Sequence, residues 1–181
     1  MRYPEEHKDA VRSRIIEEAS RALRKAGIDG VSIPALMKRA GLTHGGFYAH
    51  FENRDELVAE AVRFAGSETG AGVFERASSL DEALSTYLSA QHVSSPEGGC
   101  VVAALGAEGP RQAAPVRRAF AWAARGLIDL VQQKLSPGRE RARPTDEALE
   151  VTARMVGAVV LARLVDDEAL ARRLLSVARR T

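Results

Sequence analysis

Residues 32–51 read SIPALMKRAGLTHGGFYAHF, a short helix, a tight turn and a second short helix. Ser32 is placed to cap the first helix, and Pro34 falls in its first turn, where a missing N–H costs little. Ile33, Leu36, Met37 and Ala40 recur at helical spacing and mark one apolar face. Gly41 follows at once, as glycine does where a helix closes through the left-handed conformation. Thr43 occupies the position of a second N-cap. Phe47 and Phe51 are four apart, so they share a face directed at the core.

Gly45 and Gly46 are the unusual feature of this stretch. Each glycine inside a helix costs about 1 kcal/mol relative to alanine. Two readings follow. Either the pair forms a loop, or the missing side chains let the backbone lie close to a large flat partner. Thr43, His44, Tyr48 and His50 place hydrogen-bonding groups on the side away from Phe47 and Phe51. A polar face on a glycine-thinned helix suits a DNA groove.

Residues from about 8 to 65 resemble the DNA-binding domain of the TetR family of bacterial transcription regulators. The resemblance rests on Gly27, Gly30 and Val31, then Ala40-Gly41-Leu42-Thr43, then Gly46-Phe47-Tyr48, His50-Phe51, Arg54 and Leu57. It covers about a third of the chain, and its strength lies in the combination. Glu52 departs from the pattern, since the family often carries a basic or neutral residue there.

The resemblance implies an all-α fold, with an N-terminal three-helix helix-turn-helix DNA-binding domain (1–52) and a C-terminal helical ligand-binding and dimerisation domain (53–181). It implies a homodimeric repressor released from an inverted-repeat operator in double-stranded DNA by a small-molecule ligand. Thr43, Tyr48, His50 and Arg54 would chiefly hold phosphates, and His44, with the backbone of Gly45 and Gly46, would meet base edges. A helix reading one turn of the major groove binds weakly alone, so two copies are required, with half-sites about 34–36 Å apart or a multiple of that. In the family the last two long helices make the dimer interface. Here these are Thr145 to Leu164 and Asp167 to Arg179, with Ala153, Gly157, Ala158 and Ala162 small enough for close approach. Tyr87, Gln91, Phe120 and Trp122 are the candidate lining of the ligand pocket.

Composition is consistent with helices: Ala, Leu, Arg and Glu abound and aromatic residues make up 5%. Net charge is +2, and residues 1–51 hold nine Lys/Arg against six Asp/Glu. Charge alone would not suggest DNA; the motif carries that reading. Cys100 is the single cysteine, which excludes an internal disulfide. The four histidines, at 7, 44, 50 and 92, show no metal-ligand spacing with one another or with Cys100. No catalytic residue, metal site or cofactor is expected. Neither a signal peptide nor an apolar run of membrane-spanning length is evident, so a cytoplasmic location is expected. Two alternatives remain: a helical ligand-binding protein or enzyme that does not bind DNA, and a regulator sensing oxidants or electrophiles through Cys100, which stands at a predicted helix N-terminus.

The remaining chain reads as successive helices. One from Lys8 to Ala26 buries Val11, Ile15, Ala19, Ala22, Leu23 and Ala26. Arg2, in the polar arm before it, is either a backbone contact or simply solvated. Asn53 opens a helix to about Ala65, beyond which Gly66, Gly70 and Gly72 interrupt the pattern. Ser79 opens another, ending near Val93. A short helix spans Cys100 to Glu108, and a long one begins at Pro115 and ends near Leu135. A basic loop from Ser136 to Pro144 precedes the helix capped by Thr145, with Leu149, Val156, Val159, Val160 and Leu164 as its apolar positions. The last helix buries Leu170, Leu174 and Val177.

Overall fold

Capping side chains set most of the helix starts in the computed structural model, which describes residues 5–138 and 143–180. Arg2 and part of the basic loop (139–142) lie outside the described residues. Helix α1 spans Glu5–Ala26 and closes at Gly27, whose φ of 83° is left-handed. Helix α2 spans Ile33–Arg39, with the Ser32 hydroxyl accepting from the Ala35 N–H. Gly41, at φ 72°, turns the chain after it. Helix α3 spans Arg54–Thr69. It opens with a reciprocal cap: Asn53 accepts from the Glu56 N–H at 3.0 Å, and the Glu56 carboxylate accepts from the Glu52 N–H at 2.6 Å.

The segment after Thr43 is a 3-10 helix over His44–Ala49, not an α-helix. Two glycines lower the α propensity of a six-residue piece, and short pieces favour the tighter coil. Thr43 has the extended backbone of a cap, but its side chain makes no capping bond.

α3 does not stop at Ala65. It runs to Thr69 and continues through a π-helical turn, Gly70–Glu75. The glycines expected to interrupt it are points of close approach. A Cβ on Gly66 would stand 3.0 Å from the Trp122 ring and 3.3 Å from the Ala123 Cβ, and one on Gly70 would stand 3.4 Å from Leu130. They seat α7 (Ala114–Leu135) against α3, the most extensive helix pairing among the described residues.

The helix beginning after Ser79 is two helices. α4 spans Leu80–Tyr87 and α5 spans Ala90–Ser94. Ser89 starts the second by accepting from the His92 N–H at 3.2 Å. α6 is shorter than expected, Val101–Leu105, and a 3-10 turn at Gly109–Arg111 leads to α7. α8 (Asp146–Leu164) and α9 (Glu168–Ala178) end the described chain, capped by Thr145 and Asp167.

Several predicted core positions are exposed. Ala26 is at the surface, and Leu149, Leu164, Leu170 and Val177 are exposed instead of buried. The face of α8 that packs inside the subunit carries Ala148, Val151, Thr152, Met155, Ala158, Val159 and Ala162, and α9 buries Leu175 and Ala178. α8 is apolar on two flanks, so hydrophobicity alone cannot tell which one the subunit uses.

Two apolar clusters result. One joins α1, α2 and the 3-10 segment to α3, α6 and the first half of α7, around Phe47, Phe51, Leu57 and Val116. The other joins the π turn, α4, the second half of α7, α8 and α9, around Phe74, Tyr87, Val131 and Met155. The helix-turn-helix thus shares its core with α6 and α7.

Candidate nucleic-acid interface

Phe47 and Phe51 fix the 3-10 segment from below. They are 0% and 2% exposed, with rings stacked 5.5 Å apart. With these rings inside, the segment turns Thr43, His44, Gly45 and Tyr48 outward, with Tyr48 67% exposed. The His44 and Tyr48 rings lie edge to face at 6.4 Å. A Cβ on Gly45 would meet nothing within 4 Å, and one on Gly46 would touch Met37 at an ordinary 3.7 Å. Neither glycine is packed under another part of the described chain.

The other two predicted residues stand differently. Arg54 is half-buried, and its guanidinium donates to the carbonyls of Ile28 and Val31. It clamps the loop between α1 and α2. His50 is half-buried at the end of the 3-10 segment, with its Nδ1 buried and unpartnered. Burial, helped by Lys8 and Arg12, lowers its pKa, which favours the neutral ring.

Sequence reasoning missed the residue that ties this surface together. Arg12 donates to the His50 carbonyl at 3.3 Å, pairs with Glu60 at 2.5 Å and Glu56 at 3.2 Å, and stands 4.7 Å over the Phe51 ring. It joins α1 to α3 and to the end of the 3-10 segment. Nothing in its local sequence distinguishes it from a solvated arginine, because its partners lie 44 and 48 residues away.

The four candidate ligand-pocket residues do not converge. Trp122 is 47% exposed on the wall of an apolar cleft of about 420 Å³ between α3 and α7, which Gly66, Gly70, Ala123, Leu127 and Leu130 also line. Gln91 borders a second, more polar cavity of about 290 Å³ beside Glu68, His92 and Gly99. Phe120 is buried beneath Gly109 and borders a third recess. Tyr87 is 1% exposed within the second apolar cluster. All four are aromatic or polar residues on predicted helices, and their helical phases point to different sides.

A corner at Gly98-Gly99-Cys100 joins the helix-turn-helix half to these cavities. Arg24, from α1, is buried and donates to the Gly99 carbonyl at 2.6 Å, while pairing with Glu68 of α3 at 2.6 Å. The Glu108 carboxylate accepts from the Ile28 N–H at 2.8 Å, a second tie across the same boundary. On the far side, His92 Nε2 accepts from the Cys100 N–H at 2.9 Å. Its Nδ1 must then carry the proton and donate to the Tyr87 carbonyl at 2.6 Å. Arg163 of α8 donates to the carbonyls of His92 and Val93 at 2.7 and 3.2 Å.

This bonding requires neutral His92, and burial, assisted by Arg163 and Arg24, lowers its pKa below 6.5 against the raising effect of the Tyr87 carbonyl. As pH falls below 6.5 the unfolded chain takes up a proton that folded His92 refuses. Stability is therefore full above that value and declines below it. His50 contributes in the same direction. Thermal unfolding at about pH 7 and about pH 5 should show a lower midpoint in the acid sample. An NMR titration should place His92 below its ordinary value of 6.5. A value at or above 6.5 would contradict the assigned tautomer and its bonds.

Comparison with known proteins fits this geometry. Residues 15–61 match the family described as "Bacterial regulatory proteins, tetR family". Over 58 residues, 32% of this chain, the sequence is 38% identical to the HTH-type transcriptional regulator TtgR of Pseudomonas putida. The probable HTH-type transcriptional regulator ArpR of Pseudomonas putida matches to the same extent. The chain spans 28% of the length of these curated relatives. The fold extends further. A TetR-family transcriptional regulator from Agrobacterium tumefaciens superposes with a TM-score of 0.74 at 21% identity, covering 95% of this chain and 97% of that one. A TetR transcriptional regulator from Chloroflexus aurantiacus gives 0.73 at 22%, covering 96% and 94%. Among the described residues no helix is long and apolar enough to cross a membrane. Residues 15–61 thus carry the helix-turn-helix domain of the tetR family of bacterial regulatory proteins, and the all-helical architecture of the chain matches these solved structures in fold.

Proposed function

We propose that the protein is a cytoplasmic, homodimeric transcription repressor that binds an inverted-repeat operator and is released by a small molecule. The observation that carries the reading is the exposed surface of Thr43, His44, Gly45 and Tyr48, held rigid by Phe47 and Phe51 with open space above Gly45. A rigid, side-chain-poor ridge can enter a major groove, while His44 reaches base edges and Thr43 and Tyr48 reach phosphates. Gly46 supplies backbone at the same ridge. His50 and Arg54 support the surface from behind through their bonds to the α1–α2 side. Residues 1–52 would read DNA and residues 53–181 would dimerise and sense.

Dimerisation is supported by the bare flank of α8 and α9. Leu161, Leu164, Leu170 and Val177 are each at least 44% exposed. Ala153 and Gly157 lie on this flank, whereas Ala158 and Ala162 pack within the subunit. The apolar cleft beside Trp122 is the candidate effector site. An effector acts by favouring one dimer geometry, and typical couplings are about 1–3 kcal/mol.

An electrophoretic titration against the gene's own upstream region, at two salt concentrations, tests the reading. His44→Ala should change sequence preference by about 1–3 kcal/mol at one base position. Tyr48→Phe should weaken binding evenly across sequences. Absence of salt-dependent binding to any upstream fragment would overturn the function, and an unchanged preference in His44→Ala would remove His44 from base reading.

A further inference from the structure

The apolar cleft between α3 and α7 carries charge of one sign only. Trp122, Gly126, Asp129 and Gln133 are spaced by four, three and four residues, so they form one stripe of α7 along its wall. Gly66 meets Trp122 and Gly70 meets Leu130, so the chain segments on the two walls advance in the same direction. Glu75, at the end of the π turn, therefore stands at the Asp129 end of the cleft and not at the Trp122 end. Trp122 and Asp129 are two helical turns apart, roughly 10 Å. One end of the cleft thus offers an aromatic ring that is 47% exposed, and the other offers two carboxylates.

Among the described residues, neither Glu75 nor Asp129 takes a hydrogen bond or an ion pair. No Lys, Arg or His is among the described residues that line the cleft. An anionic ligand would lose its hydration with no cation to receive it, whereas an ammonium would exchange water for carboxylates. Gly126 is a separate indication of a ligand. It lies in the middle of a 22-residue helix, where glycine is destabilising, and a Cβ there would meet nothing within 4 Å. Gly66 and Gly70 are kept bare by the packing of α7 against α3, but no neighbour in the subunit requires this of Gly126. A side chain there would take up room in the cleft, whose volume of about 420 Å³ suits a small molecule.

We propose that this cleft binds an amphipathic organic cation. Its apolar body lies against Trp122 and Leu130, and its ammonium sits roughly 10 Å away at the Glu75 and Asp129 end. Both carboxylates are exposed, so their attraction is screened by salt and adds to the apolar contact without replacing it. This names the ligand class of the proposed effector site, and it rests on that reading only for its effect on DNA.

The test uses the full chain and three probes that share one apolar body: ω-phenylhexylammonium, phenylhexanol and phenylhexanoate. Trp122 is the only tryptophan, so its fluorescence reports the cleft directly, and calorimetry gives the affinities. The ammonium should bind about tenfold more tightly than the alcohol, and the carboxylate more weakly than the alcohol. Salt at about 1 M should shrink the ammonium's advantage. Glu75→Gln combined with Asp129→Asn should abolish that advantage and leave the alcohol's affinity unchanged, which a folding defect would not do. Gly126→Leu should melt no lower than wild type and weaken ammonium and alcohol alike by about tenfold or more. Equal affinity for ammonium and carboxylate overturns the proposal, as does an advantage that survives in the double variant. So does binding heat without a change in Trp122 fluorescence, no binding of any probe, or a Gly126→Leu protein that binds as wild type does. Saturating ammonium should also weaken operator binding about fivefold or more. An ammonium that binds as stated but leaves operator affinity unchanged defeats the effector role of the cleft and not its ligand class. Failure of the unliganded protein to bind DNA defeats the proposed function, whereas the probe affinities decide the ligand class independently of DNA.

Discussion

Arg24→Ala is expected to lower the thermal midpoint by about 6 °C or more. The side chain is 1% exposed and satisfies four acceptors: the Ser20 carbonyl at 3.2 Å, the Ser20 hydroxyl at 3.0 Å, the Gly99 carbonyl at 2.6 Å and Glu68 at 2.6 Å. Removing one member of such a buried arrangement typically costs about 3–5 kcal/mol. At this chain length each kcal/mol moves the midpoint by about 2–4 °C. The cost is unevenly placed. The Glu68 side chain is 36% exposed and can turn to water, whereas the Gly99 carbonyl is left facing the void. Glu68→Gln should therefore cost about 1 kcal/mol or less, as partly exposed pairs do. Arg24→Met, which refills the volume, should recover part of the loss. A midpoint for Arg24→Ala within about 2 °C of wild type, the effect of a surface change, would show that the corner is not held by this residue.

Arg24 also shows where sequence reading stops. The caps at Ser32, Asn53, Ser79 and Thr145 were legible because the cap and the N–H it accepts from are three residues apart. Phe47 and Phe51 were legible because four-residue spacing defines a face. Arg12 and Arg24 were counted only as charges, since their partners arrive from α3 and, for Arg24, from the corner before α6. The same limit governs the glycines. Gly66 and Gly70 look like helix breakers along the chain and are helix-packing residues across it. The four ligand-pocket candidates border different cavities, or none, for a related reason. A cavity is defined by helix phases in three dimensions, and a residue type on a predicted helix does not report its phase. At the candidate DNA interface, Thr43, His44 and Tyr48 were readable as an exposed polar face, but that Arg54 is occupied by two loop carbonyls was not.

Leu161→Glu is expected to convert the proposed dimer to monomer and to weaken the proposed operator binding by roughly a thousandfold. α8 shows a second apolar flank that the subunit leaves uncovered. Leu161 is 50% exposed and Leu164 75%, and across from them α9 exposes Leu170 and Val177. Between the two helices runs an apolar groove of about 440 Å³, floored by Gly157 and edged by Arg154 and Arg173. Uncovered leucines in one contiguous patch mark an interface, since isolated subunits seldom expose such patches. The proposed repressor needs two 3-10 segments on one duplex, and a single half-site retains only the weaker, largely non-specific component of binding. Specific binding commonly exceeds that component by about 10³-fold or more. A carboxylate at position 161 would have to be desolvated in the pair but remains hydrated in the single subunit. The change should therefore leave the subunit's own melting nearly intact once dilution has been matched. Light scattering on the eluting peak gives the mass, and operator titration gives the affinity. A Leu161→Glu protein that stays dimeric would place the interface elsewhere. A monomer that keeps wild-type operator affinity would separate DNA reading from dimerisation and sink the proposed two-fold operator.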